Sequence, residues 1–122
     1  MSVRRVVPNI PTGDGESSRA FYERLGFEEA MNHGWIMTLV SPTNPTAQIS
    51  LYTGEDETGP VAPDISVEVE DVDAAYAAMR AAGAEIVHPI RNEDWGVRRF
   101  FVRDPSGRVV NVLTHGGLAG PA

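Results

Sequence analysis

The sequence predicts an α+β fold built from two βαβββ modules, and three observations carry that prediction. Asp14 lies twelve residues before Gly26, and Asp71 lies twelve residues before Gly83, so one pattern recurs at an offset of 57 residues. Between those markers, Ser18, Phe21, Tyr22 and Leu25 fall at i, i+3, i+4 and i+7, and Val72, Ala75, Tyr76 and Met79 repeat the spacing. That is the period of a short amphipathic helix. Around each helix stand short runs with strand character, one before it and three after it.

Taken in order, residues 6–10 form the first strand and Asp14 supplies an N-cap, with Gly26 suited to the left-handed position that ends a helix. Strands follow at 27–31, 35–40 and 48–52, the last two joined by a loose connection from Ser41 to Thr46 that holds two prolines. The second copy places strands at 65–69, 84–88, 98–103 and 108–113. Its last pair is joined by Asp104-Pro105-Ser106-Gly107, with proline at i+1 and glycine at i+3 as a type I turn prefers. The predicted organisation is a first module over 1–53, an acidic linker rich in glycine and proline over 54–63, a second module over 64–115, and a flexible tail over 116–122.

Composition excludes several chemistries. The 122 residues contain no cysteine, which removes disulfides, thiolate nucleophiles and sulfur-ligated metals. All ten basic residues are arginine, so neither a Schiff-base lysine nor a P-loop lysine is available. A net charge of −7 opposes binding to nucleic acid or to an anionic membrane surface. No run approaches the ~20 apolar residues of a bilayer span, and the chain is read as soluble and cytoplasmic. No Gly-x-Ser-x-Gly elbow or Gly-x-Gly-x-x-Gly loop is present. Glu68 and Glu70 share one strand face, which a solvated face explains better than an acid/base pair.

Three segments carry a family resemblance: Ala20-Phe21-Tyr22-Glu23-Arg24-Leu25-Gly26-Phe27, then Ile65-Ser66-Val67-Glu68-Val69 leading into Asp71, then Trp95-Gly96-Val97-Arg98-Arg99-Phe100 running on to the Asp104 turn. With the repeat, the chain resembles the vicinal oxygen chelate superfamily, which includes glyoxalases, extradiol dioxygenases and bleomycin-resistance proteins. The Trp-Gly-x-Arg run looks most like the bleomycin-resistance branch. The resemblance implies that each module curls a mixed four-stranded sheet around a cavity, with its helix packed outside. It also implies a homodimer, since paired chains usually complete the sites.

The metal-dependent branches hold one divalent ion on four strands. Carried over, those positions fall on Val7, Ser50, Asp64 and Asn111. Valine has no donor atom, serine ligates rarely and asparagine offers a neutral carbonyl, so no metal and no other cofactor is expected. His33, His88 and His115 have no ligand spacing between them.

Strand alternation nominates the cavity-facing side chains. Counting from Asn111, and pairing Phe100 with Asn111 and Val102 with Val109 across the Asp104 turn, the second module offers Phe100, Val102 and Arg98. Matching the two modules sends Trp35, Met37 and Leu39 inward, and Ser50 brings Gln48 and Tyr52 while Val7 brings Asn9. Asp64 and the loop residue Trp95 complete the ligand-binding set. A slip of one residue inverts any of these assignments, and of the adjacent Arg98 and Arg99 one must point away. In the competing reading, Trp35 and Phe100 fill a closed core and Asp64 and Asn111 bond only to backbone.

The resulting expectation is a metal-free protein that sequesters a small aromatic or amphipathic molecule, an antibiotic among the options. The alternatives are an enzyme of the same superfamily, with Asp64 as base or a metal site elsewhere, and a closed fold that only partners other proteins.

Overall fold

The computed structural model describes residues 2–54 and 62–115. The body of the expected linker, 55–61, and the expected tail, 116–122, lie outside the described residues. The chain divides into two units, Val7–Ala62 and Met1–Val6 with Pro63–Ala122. Strand β1 (Val3–Pro11) contributes its first residues to the second of these and the rest to the first.

In the unit Val7–Ala62, helix α1 (Gly15–Glu23) is followed by β2 (Glu28–Asn32), β3 (Ile36–Val40) and β4 (Gln48–Tyr52). The strand order is β2-β3-β4-β1, with β1 parallel to β4 and the other pairs antiparallel. Met37, Leu39, Ile49 and Leu51 form its core, and Ile10, Tyr22 and Phe27 pack against them. Only Tyr22 of the α1 stripe turns inward; Phe21 and Leu25 are 57% and 69% exposed.

The other unit holds β5 (Ile65–Val69), α2 (Val72–Ala81), β6 (Ile86–Asn92), β7 (Val97–Arg103) and β8 (Val109–His115) in the order β5-β8-β7-β6. Here β5 is parallel to β8 and the remaining pairs are antiparallel, so each module has the expected mixed sheet. Val69, Val72, Ala75, Phe100, Val102 and Val112 make the core under α2. β6 is an edge strand carrying Pro89, and its register against β7 shifts between Ile86 and His88 and again between His88 and Arg91. Proline belongs at such an edge because it has no N–H to donate.

The internal repeat is visible bond by bond. Asp14 accepts the Ser17 N–H at 3.1 Å and Asp71 accepts the Ala74 N–H at 3.0 Å, the same N-cap 57 residues apart. At the other ends, Gly26 and Gly83 have φ of +115° and +78°. Their N–H groups donate to Glu23 and Arg80, and the next residues, Phe27 and Ala84, donate to Tyr22 and Met79. That paired bonding closes a helix when one residue takes the left-handed conformation that glycine adopts without strain. Among the described residues no helix is long and apolar enough to cross a membrane.

Candidate functional site

In the unit Val7–Ala62, register sorts the expected site residues onto two faces. Asn9 stands beside Ser50 on the neighbouring parallel strand, and Thr38 stands opposite Ser50. Gln48, Ser50 and Tyr52 alternate onto that face, away from the core, and Asn9, Ser50 and Tyr52 are nearly inaccessible to solvent. Trp35 precedes β3 and leans on Tyr52, with ring centroids 5.8 Å apart. Gln48 donates from Nε2 to the Pro45 carbonyl at 2.8 Å. Met37 and Leu39 do not join this group. They pair with Leu51 and Ile49 and belong to the core under α1, on the opposite face from Ser50. Thr38 occupies the place expected of them.

A similar correction applies to the second unit, and its cause is one turn. Gly107 N–H bonds Asp104 as a type I turn requires, but Asp104 N–H also bonds the Arg108 carbonyl, and the Asp104 carboxylate accepts the Arg108 N–H at 2.9 Å. Arg108 is thereby drawn into the loop, and pairing begins at Arg103 with Val109. Phe101, not Phe100, then stands opposite Asn111, and Val102 stands opposite Val110. The slip is one residue, so every β7 side chain changes face. Phe100 and Val102 lie in the core under α2. Arg98 reaches the helix itself, giving Asp73 bonds of 2.8 and 3.2 Å. This hydrogen bond holds the Asp73 carboxyl below its ordinary pKa and raises that of Arg98.

The side chains on the face opposite α2 are therefore Ser66, Glu68, Asn111, Leu113, Phe101 and Arg99. Arg99 is 1% exposed. Its Nε donates to Glu93 Oε2 at 2.8 Å, and Glu93 is likewise buried. The guanidinium carbon lies 5.0 Å from the Trp95 ring centroid and 4.8 Å from that of Phe101. Arg99 is thus clasped between two aromatic faces, a contact favoured by the ring quadrupole. The loop that achieves this is short: Glu93 N–H bonds Val97, Gly96 N–H bonds Glu93, and Gly96 has φ of +93°. Glu93, Arg99 and Phe101 were not among the expected ligand-binding residues. The doubled Arg98-Arg99-Phe100-Phe101 gives the same composition to both faces, so register alone selects between them.

Asn111 sits at the centre of this face, 6% exposed. Its Nδ2 donates to Ser66 Oγ at 3.1 Å, while its buried Oδ1 has no hydrogen-bond partner among the described residues. A buried amide oxygen left without a donor costs about 1–3 kcal/mol. Further along, Glu68 is paired with Arg5 through Nε, and His115 Nδ1 stands 3.3 Å from Glu68 Oε2. This strand glutamate is largely buried and paired, not solvated as its sequence pattern suggests.

The four positions of the metal-dependent branches do not fit an ion. Val7 and Ser50 supply no strong donor, and Asn111 is bonded to Ser66. Asp64 accepts the Val109 N–H at 2.9 Å and lies 3.7 Å from Arg108, so its carboxylate organises the start of β8. Among the described residues no three His, Asp or Glu side chains converge as a metal site would require.

A family model described as the Glyoxalase/Bleomycin resistance protein/Dioxygenase superfamily matches residues 4–112. The chain belongs to that superfamily. It is 25% identical over 126 residues to a bleomycin resistance protein of Klebsiella pneumoniae, covering 95% of this chain and 96% of the relative. Among solved structures it is similar to one described as an NAD-dependent benzaldehyde dehydrogenase from Legionella pneumophila, with a TM-score of 0.72 at 17% identity over 90% of this chain and 98% of the other. It is also similar to a glyoxalase/bleomycin resistance protein/dioxygenase superfamily member from Vibrio splendidus 12B01, with a TM-score of 0.68 at 21% identity over 93% and 99% of the two chains. At those identities the likeness speaks for the shared fold, and the sheets and outer helices of this superfamily member agree with it.

Proposed function

We propose that this superfamily member is a metal-free binding protein, a homodimer that captures a small aromatic or amphipathic molecule without changing it. The observation that carries the reading is the clasp of Arg99 by Glu93, Trp95 and Phe101 beside the orphaned Asn111 oxygen. Trp95 is the part-exposed member of the clasp and is held by the guanidinium against it, so a flat ligand stacking on its outer face immobilises little that is mobile. Asn111 Oδ1 then gains the N–H or O–H donor it lacks. The nature of the curated relative makes an antibiotic the first ligand class to try.

Titration with bleomycin, followed by tryptophan fluorescence, tests this. Stoichiometric saturation is expected, with the drug recovered at unchanged mass. Asn111→Leu should weaken binding about tenfold, the worth of one buried hydrogen bond of this kind. Elemental analysis after incubation with Ni²⁺, Zn²⁺, Fe²⁺ or Mn²⁺ and gel filtration should find no stoichiometric ion. Steady turnover of the drug, or one retained ion per site, refutes the reading.

One observation favours catalysis as a second reading: the contact of His115 with the part-buried Glu68. Arg5 Nη2 also stands 3.3 Å from His115 Nδ1, and where it donates there the ring proton lies on Nε2, the nitrogen left to exchange a proton. If any turnover is found, its loss in Glu68→Gln with retention in Asp64→Asn assigns it to this pair.

A further inference from the structure

The internal repeat allows the seam between helix and sheet to be compared position by position in the two units. In the unit Val7–Ala62, Ile10, Tyr22 and Phe27 pack against the core and fill that seam. The rings of Tyr22 and Phe27 meet edge to face, with centroids 6.2 Å apart. At the offset of 57 residues the same three positions are Val67, Met79 and Ala84. Their equivalence holds in the structure. Ile10 pairs with the core residue Leu51 on a parallel strand, as Val67 pairs with Val112. Phe27 N–H bonds the Tyr22 carbonyl, as Ala84 N–H bonds that of Met79. A thioether and a methyl group therefore stand where the first unit has two aromatic rings.

A cleft of about 670 Å³ opens at that place, and Val67, Met79 and Ala84 all line it. Tyr76 and Phe100, with ring centroids 4.9 Å apart, fill the seam elsewhere, and neither lines the cleft. The helix cannot close the gap, because Ala75 and Ala82 offer only methyl groups to it and Met79 is 39% exposed where Tyr22 is packed. The lining is apolar apart from Glu85, Arg103 and Asp104 at one end. Those groups are already engaged with the protein. Glu85 pairs with Arg103 at 3.3 Å, and Asp104 Oδ1 accepts the Ser106 and Arg108 N–H groups. The chemistry left for recognition is hydrocarbon, and an anion entering there meets two carboxylates against one guanidinium.

We infer that this cleft binds a neutral molecule of one or two hydrocarbon rings, which takes the space that Tyr22 and Phe27 fill in the other copy of the repeat. Its volume falls within the roughly 300–1,000 Å³ of small-molecule sites. Val67, Val102 and Val112 form an aliphatic floor, and Met79 adds a thioether, which contacts aromatic rings favourably. The site is separate from that of the proposed function. Val102 and Val112 lie on the α2 face of the sheet, whereas Arg99 and Asn111 lie on the other.

Naphthalene is the probe, and methyl-detected NMR of the full chain reads its binding. Saturable shifts are expected at the Val67, Met79 and Ala84 methyls, with Leu39 and Leu51 in the core of the other unit unmoved. Met79→Tyr/Ala84→Phe rebuilds the plug that the chain already uses once. It should weaken naphthalene about tenfold or more and raise the Tm of the ligand-free protein. If that pair does not fold, Ala84→Phe alone should weaken binding at least about threefold. Asn111→Leu, which damages the site of the proposed function, should leave the naphthalene affinity unchanged. Naphthalenesulfonate, with the same rings and a negative charge, should bind more weakly. Three results overturn the inference: no saturable shift at the cleft methyls up to the solubility limit, undiminished affinity in Ala84→Phe, or shifts confined to Leu113 on the Arg99 face. The last would move naphthalene to the site of the proposed function and leave that reading standing. Equal affinity for naphthalenesulfonate overturns the assignment of a neutral ligand.

Discussion

Replacing Glu93 by glutamine probes the centre of the candidate site. The side chain keeps its size and an acceptor oxygen but loses its charge, and Arg99 is left in a place where its side chain is 1% exposed. Water cannot take over, because Trp95 and Phe101 flank the guanidinium at 5.0 and 4.8 Å. Breaking a buried ion pair from one side costs about 3–5 kcal/mol. For a chain of 122 residues that corresponds to a fall in Tm of roughly 10–20 °C. Arg91 supplies the control, since it contacts the same carboxylate at 3.1 Å with a side chain 57% exposed. Arg91→Ala should cost no more than about 1 kcal/mol. Urea unfolding followed by tryptophan emission measures all three proteins. The double variant Glu93→Leu/Arg99→Met should recover much of the stability, because it removes both charges, while losing ligand affinity with the clasp. If Glu93→Gln unfolds at the same urea concentration as Arg91→Ala, the pair does not hold Arg99, and the rigid platform on which the proposed function depends is not there.

Phe100→Ala should cost about 3–5 kcal/mol from a fully buried site, yet leave the affinity of the folded fraction unchanged; a specific loss of ligand binding measured by calorimetry would return Phe100 to the site face. Gly83→Ala should cost about 1–2 kcal/mol through backbone strain alone, since φ is +78° and a Cβ would meet nothing within 4 Å; thermal unfolding reads it. Three carboxyls titrate below their ordinary range: Asp14 through the Ser17 N–H, Asp73 through Arg98, and Asp104 through the Ser106 hydroxyl. A folded pKa below the unfolded one adds stability above about pH 4, and that stability is lost as pH falls through the folded values. Urea midpoints between pH 6 and pH 2 should therefore decline below about pH 4, and the decline should be shallower in Asp73→Asn.

The elements of the fold were legible because their signals are local. An aspartate that caps, a helix stripe, and a glycine at positive φ all lie within a dozen residues, and the chain writes them twice. Strands β4 and β5 needed no adjustment for the same reason: apolar runs with clear ends define them. The α1 stripe was legible as a helix but not as a packing face, since the spacing of Phe21, Tyr22 and Leu25 does not say how much sheet lies beneath them. Only Tyr22 finds it.

The site was legible in part, and the boundary between what could and could not be read is a matter of parity. Asn9, Ser50, Tyr52 and Asn111 were placed on the face away from the helices by alternation within single strands, and that reasoning needs no partner. Met37 and Leu39 were placed by matching one module to the other, and Phe100, Val102 and Arg98 by counting across a turn, where one hydrogen bond decides. The Asp104 carboxylate takes the Arg108 N–H into the loop, pairing starts at Arg103 and Val109, and the whole of β7 rotates its side chains by one face. Sequence offers no local sign of this, because Arg98-Arg99 and Phe100-Phe101 read alike in either register. The consequence for the proposed site is large. The same slip that sends Phe100 into the core and Arg98 to Asp73 delivers Phe101 and Arg99 to Trp95 and Glu93. A loop variant that released Arg108, such as Asp104→Ala, would remove the bond that fixes this register. The site therefore depends on a turn that contributes no side chain to it.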